Sequence, residues 1–413
     1  MAELLRTASL LLATGLVATT LAQVVRLPAM ILLVLGGVLV GPSGAGWLDV
    51  PLDATGAQLV FSVGVSMILF HGGTGISLRV IRETAVSLAL LALPGVMLTA
   101  AVVAVAVAPL FDVSYTTALL VGAVLASTDP AIVIPLFDRL GIRPKVAQTI
   151  VAESAFNDPT GTVLALTLAT IVSATGASQS RPVLDFAQSL ALGGVLGIVG
   201  GVALAVLLSD RRIGVWSESP AAAILMVVAL EYFANEEVGG SGYLAAFLAG
   251  LIVGNMDVLR LGQDEQHASV LEGFVAQVAE IVVLAVFVVL GVNLPLGDLA
   301  DAWWQGLVVM AVFILVARPL CVAACLLPDR RARWTRQEAA FLAWSRYTGV
   351  VPAAVASLLS ARAIAEPNLA EGARISVTLV AMAVCTTLLL QATTAGALAR
   401  RLGLVDETVP DEG

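Results

Sequence analysis

Charge is what this sequence has least of. Asp, Glu, Lys and Arg make up 12% of its 413 residues, against 59% hydrophobic ones. A soluble surface needs roughly 25–35% charged residues, so a chain of two or three soluble domains is excluded. Basic residues are outnumbered 21 to 30 and form no basic face, which argues against nucleic acid as a partner. Cysteine is scarce: Cys321, Cys325 and Cys385 all lie in apolar runs. An odd count without a framework predicts buried packing, not disulfides or a metal centre. With only two His, one of them (His267) in a loop, there is no nucleophile–base pair for intramembrane hydrolysis. No enzymatic chemistry and no cofactor are expected.

What is present is apolar sequence, with a mean hydropathy of +0.98. Runs broken by Gly, Pro and charge predict an all-α polytopic membrane protein. The thirteen expected spans are 4–25, 27–42, 57–75, 84–110, 115–138, 147–174, 183–208, 217–234, 241–255, 268–292, 303–327, 337–360 and 375–398. The first could be mistaken for a signal peptide, but it lacks an A-x-A cleavage site and more spans follow. With the N-terminus outside, the inner loops hold 15 of the 21 basic residues, while the outer ones hold Arg6, Arg181, Arg362 and Arg374. That positive-inside asymmetry predicts N-out, C-in and an odd number of spans. Residues 1–401 form one transmembrane domain, and 402–413 read as a short acidic cytoplasmic tail.

Ionisable residues at membrane depth are costly and mark function by default. They are His71, Asp129, Glu153, Asp158, Glu280, Arg318 and Arg346. Glu231 lies nearer an outer end, where it is expected to snorkel. The densest cluster spans two successive segments, Ser127-Thr-Asp-Pro130 and Glu153-Ser-Ala-Phe-Asn-Asp-Pro-Thr-Gly161. Pro130 removes an N–H and breaks its helix, and Asp129 can cap the half-helix that follows. The plainer alternative there is a kinked helix with a capping Asp. Ser154 and Asp158 share one helix face, Glu153 and Asn157 the next, and Pro159 predicts a local opening beside Asp158. A buried carboxylate there can hold a proton or a hard monovalent cation, but not both, which is the minimum machinery for exchanging them. The twelfth segment, Ala343-Trp-Ser-Arg-Tyr-Thr-Gly-Val-Val-Pro352, carries a matching break at Gly349 and Pro352. Two broken helices, one in each half, point to inverted repeats with a site at the midplane.

These residues resemble a known family. Ser127-Thr-Asp-Pro130 with Glu153-Ser-Ala-Phe-Asn-Asp158 and Thr160-Gly161 closely resembles the cation:proton antiporter superfamily, in its NhaP/NHE-like branch. Leu69-Phe-His-Gly-Gly73, Gly240–Gly250, Ala317-Arg-Pro-Leu320 and Trp344–Gly349 agree, so the matches run from about residue 60 to 352. The resemblance implies thirteen helices in a homodimer of the inner (plasma) membrane. It implies a mobile core domain, including helices near 84–174 and 303–360, with two crossing broken helices, and a dimerisation domain from the rest. Asp158 then corresponds to the ion-binding and proton-carrying Asp, and Asn157 before it to the electroneutral, one-for-one branch. Thr128, Asp129 and Ser154 add or support ion-coordinating oxygens. Glu153 pairs with a buried Arg, with Arg318 preferred over Arg346.

Two residues depart from the pattern. His71 stands where many relatives carry an acid; it is either a satisfied interior His or a changed ion pathway with a pH response. Glu280 stands where an apolar residue is expected; it is either protonated and hydrogen-bonded or lines a funnel. The reading overall is Na+ or Li+ exchange for H+. The alternatives are K+/H+ exchange, or a cation-conducting or sensing protein on the same scaffold. The absence of a long tail leaves no expectation of regulation by a ligand-binding tail domain.

Overall fold

The computed structural model describes residues 2–25, 27–52, 54–128, 137, 141–173, 182–209, 214–216, 218–259, 261 and 265–405. Among these the regular structure is helical, apart from one isolated antiparallel bridge between Ile142 and Val405. Seven helical stretches are long and apolar enough to cross a membrane, and four shorter apolar helices accompany them. The fold is that of an all-α polytopic membrane protein.

The helices that frame the site are α1 (Ala2–Val25), α2 (Ala29–Val40), α3 (Val65–Thr74), α4 (Leu78–Ala92), α5 (Pro94–Phe111), α6 (Tyr115–Ala126) and α7 (Pro144–Ser173). They continue as α8 (Pro182–Leu208), α9 (Pro220–Val238), α10 (Gly242–Val253), α11 (Glu265–Val292), α12 (Trp303–Val312) and α13 (Arg318–Leu326). The last four are α14 (Arg336–Trp344), α15 (Val350–Ala365), α16 (Ala370–Thr386) and α17 (Thr393–Arg401). Wide-turn π segments at Val60–Gly64, Phe313–Ala317 and Thr387–Ala392 join α-helical pieces without a loop.

Local chemistry sets the helix starts. The Ser114 hydroxyl accepts from the Thr117 N–H at 3.1 Å, and the Ser241 hydroxyl from the Leu244 N–H at 3.2 Å. Thr335 and Glu338 form a reciprocal capping box at the head of α14. Between helices, lipid offers no hydrophobic drive, so contact depends on close backbone approach at small residues. The seam of α3 and α10 shows this: a Cβ on Gly250 would lie 2.0 Å from the Phe70 carbonyl oxygen, and one on Gly73 2.3 Å from that of Phe247.

Both expected interruptions are found. The fifth span stops at Ala126, with Ser127 already extended; Pro130, where the break was expected, lies outside the described residues. The twelfth is split between Trp344 and Val350. Its break lies at Ser345–Gly349, before Pro352, which sits in the first turn of α15, where a proline costs little. The opening expected beside Asp158 is not a break: α7 runs unbroken through Pro159. Thr160 and Thr162 donate back to the carbonyls of Phe156 and Asp158 at 2.9 and 2.8 Å, while the carbonyl that Pro159 leaves without an N–H is that of Ala155. After α17 the chain returns to the head of α7. The Arg143 N–H donates to the Leu404 carbonyl at 3.0 Å, and the Leu404 side chain is buried.

Candidate functional site

The site forms where α7 passes the two interruptions. Glu153, Ser154, Asn157 and Asp158 are all buried on α7, and Thr128 is buried just past the end of α6. Asn157 holds Thr128 from both sides: its Oδ1 accepts from the Thr128 N–H at 3.1 Å, and its Nδ2 donates to Thr128 Oγ1 at 2.8 Å. The Thr128 and Ser154 hydroxyls are 2.6 Å apart. Thr128, Ser154 and Asn157 thus form one hydrogen-bonded unit, with Asp158 next to it on the same helix. Asp129 lies outside the described residues.

Each broken helix ends on an arginine. α6 presents its last carbonyls, those of Leu125 and Ala126, to the Arg346 guanidinium. α14 presents the Leu342 carbonyl to Arg318 Nε at 2.9 Å, and the Ser345 carbonyl lies 3.5 Å from the same side chain. A helix C-terminus carries partial negative charge and unsatisfied carbonyls, so a buried guanidinium satisfies both. Arg318 also donates to both carboxylate oxygens of Glu153, one at 2.9 Å. The two arginines therefore divide the work: Arg318 ties α7 to α14, while Arg346 ties the second break to the first. Arg346 also stacks over the Phe313 ring at 4.8 Å, and the charges of Glu153 and Asp158 both act on it.

The other two candidates stand apart. His71, in α3, is partly buried, with a buried Nδ1 that has no hydrogen-bond partner among the described residues, and it feels the charge of Glu272 on α11. No described hydrogen bond joins it to the Asp158 cluster. Glu280 is exposed on α11. Glu231, expected to snorkel, is instead buried at 6% exposure in α9, because the glycine face of α8 closes over it. Gln391 was not singled out from sequence; its Nε2 donates to the Trp344 carbonyl at 2.6 Å and closes the end of α14. A lone Gln in an apolar run was the available signal.

Discontinuous helices that meet at a buried carboxylate within a polytopic bundle are the build of a secondary membrane transporter. The chain belongs to the sodium/hydrogen exchanger family: the family described as "Sodium/hydrogen exchanger, transmembrane" matches residues 10–401. It is 33% identical over 359 residues to the K(+)/H(+) antiporter NhaP2 of Shewanella oneidensis, aligning 83% of this chain and 58% of that protein. It is 31% identical over 262 residues to the probable Na(+)/H(+) antiporter 2 of Methanocaldococcus jannaschii, aligning 61% of this chain and 59% of the other. The chain thus spans less than two thirds of the length of these relatives. Its fold is similar to the solved structure of the sodium proton antiporter MjNhaP1 from Methanocaldococcus jannaschii at pH 8. The TM-score is 0.85 at 25% identity, over 97% of this chain and 99% of that one.

Proposed function

We propose that the chain exchanges a monovalent cation, Na+ or Li+, for H+ across the cell's inner membrane, electroneutrally, with Asp158 as the shared carboxylate. The observation that carries this reading is the junction at Asp158. A buried acid lies one helical turn on from Ser154, whose hydroxyl meets that of Thr128 just past the end of α6. Oxygen ligands of this kind suit hard monovalent cations. Asp158 takes the cation on one side as it gives up its proton, and the reverse happens on the other. Competition for one carboxylate couples the two fluxes. Asp129 would add an oxygen beside Thr128. Glu153, already held by Arg318, is neutralised and free of that task, and Arg346 balances the carbonyl end of α6. The motion is alternating access of a core domain past a fixed dimerisation domain in a homodimer. The chain crosses the membrane thirteen times, with the N-terminus outside.

A second reading is K+/H+ exchange. It is favoured by the Shewanella oneidensis relative, which is named a K(+)/H(+) antiporter. One experiment tests both. Purified protein in proteoliposomes is given an inside-acid pH gradient, and its collapse is read with a pH-sensitive dye on adding Na+, Li+ or K+, with Asp158→Asn in parallel. Cation-dependent collapse by the wild type alone, unchanged when the voltage is clamped at zero, is the expected result and names the ion. Full exchange by Asp158→Asn refutes the shared carboxylate. Collapse that vanishes under the clamp identifies a conductive pathway.

A further inference from the structure

Away from Asp158 the bundle contains a second buried carboxyl that the exchange reading does not use. Glu231 sits on α9, seven residues before its end, so about 10 Å from that end at 1.5 Å per residue. It is 6% exposed, and neither carboxylate oxygen has a hydrogen-bond partner among the described residues. Asn235, one turn on, is fully buried; its Nδ2 donates to the Glu231 carbonyl at 2.8 Å, and its Oδ1 has no partner. Three unsatisfied oxygens thus share one face of α9. That face is walled by glycine. A Cβ on Gly200 of α8 would fall 2.0 Å from Glu231 Oε1, and one on Gly240 would fall 2.2 Å from Asn235 Oδ1.

The charged and titratable groups on the neighbouring helices do not supply a counter-charge. α8 offers Asp185, α10 Tyr243, α3 His71, and α11 Glu272 and Glu280, while α9 itself adds Tyr232, Glu236 and Glu237. An unpaired carboxylate in a low-dielectric interior is costly enough that something positive must neutralise it. A cavity adjoins this face. It has a volume of about 280 Å³ and opens where α7, α8 and α15 meet the α9–α10 turn; Asp185, Glu236, Arg362 and Gly240 line it, while Glu231 and Asn235 lie behind its wall. Asn235 Oδ1 lies directly behind Gly240, and Glu231 one turn deeper.

We propose that Glu231 and Asn235 form a second intramembrane site for a small monovalent cation, the proton or the metal ion, reached through this cavity and separate from Asp158. The carboxylate supplies the charge, and the Asn235 amide oxygen completes the polar lining. Gly200 of α8 and Gly240 of the α9–α10 turn leave open the space that a Cβ would take from these oxygens.

The test uses purified full-length protein in an Asp158→Asn background, so it stands whether or not Asp158 carries exchange. Equilibrium binding of radioactive Na+ and thermal unfolding from pH 6 to about 10 are compared between Asp158→Asn and Asp158→Asn/Glu231→Gln. Residual Na+ binding in the first, lost in the second, identifies a metal-cation site. No Na+ binding, but an unfolding temperature that falls with rising pH in the first and stays flat in the second, identifies a proton site. Identical behaviour of the two proteins in both measurements overturns the proposal. Should the Gln variant not fold, Asn235→Ala in the same background must weaken Na+ binding or shift the pH midpoint; no change in either is the overturning result.

Discussion

Replacing Arg318 by Met tests the central cross-link. Arg318 is 1% exposed and Glu153 2% exposed, so neither can turn to water. The substitution keeps the length of the apolar stem but removes the guanidinium. It leaves the Glu153 carboxylate buried without its partner, which costs about 3–5 kcal/mol. It also leaves the Leu342 carbonyl without its donor, for about 1 kcal/mol more. A total near 4–6 kcal/mol is a large part of an ordinary folding free energy. The decisive comparison is Arg318→Met with Glu153→Leu. The double variant no longer buries a lone charge, so what stays unsatisfied is the Leu342 carbonyl and the weaker contact at Ser345, and most of the loss should be recovered. Unfolding in detergent, followed by tryptophan fluorescence, gives the four corners of the cycle. Trp334 and Trp344 report at the two ends of α14. A double variant as unstable as Arg318→Met alone, or a single variant within about 1 kcal/mol of wild type, would refute the claim that this pair ties α7 to α14.

Three further outcomes are expected. Thr128→Val removes the hydroxyl that meets Asn157 and Ser154 while keeping the shape, so it should cost about 1 kcal/mol per lost bond and weaken cation affinity in the dye assay; unchanged affinity would exclude Thr128 from the site. Gly250→Ala forces a methyl onto the Phe70 carbonyl and should destabilise the α3–α10 seam by about 1–3 kcal/mol or more, read as a lower unfolding temperature. Asp329, in the loop after α13, gives a pH prediction. Burial works against its charge, but hydrogen bonds from the Ser87 hydroxyl and from the N–H groups of Ala332, Ser87 and Arg331 outweigh this and hold it below the ordinary carboxyl range. Its stabilisation is therefore complete above about pH 4, the unfolded value, and is lost as pH falls through the lower folded value. Limited proteolysis should show the loop opening only in acid below about pH 4, and Asp329→Ala should open it at neutral pH.

The sequence carried the chemistry of the site more fully than its connections. Ser127-Thr-Asp-Pro130 announces a break because Pro130 and a polar triplet at membrane depth leave few other readings. The second break sits at Ser345–Gly349 and not at Pro352, since a proline in a helix's first turn disrupts nothing. Pro159 gave the opposite surprise: α7 runs through it unbroken, as a helix can where neighbouring helices in a membrane bundle support the freed backbone groups. Arg318 and Arg346 are alike in one dimension, and what separates them is where α13 and the second break lie in space. Glu231 misled for a related reason. Its distance from the helix end was legible, but the glycine face that covers it belongs to α8, thirty residues away in the chain.

The bond between Glu153 and Arg318 also sets an order of events during synthesis. The two residues are 165 positions apart. At roughly 5–20 residues per second, the acid waits about 10–30 s for its base after leaving the ribosome. Meanwhile α7, with Glu153 and Asp158 in its middle, is absent from the helices apolar enough to cross a membrane unaided. It must be sheltered by its neighbours or by the insertion machinery until α13 arrives. A nascent chain halted before Arg318 would carry the Glu153 carboxylate without the partner that holds it in the finished fold.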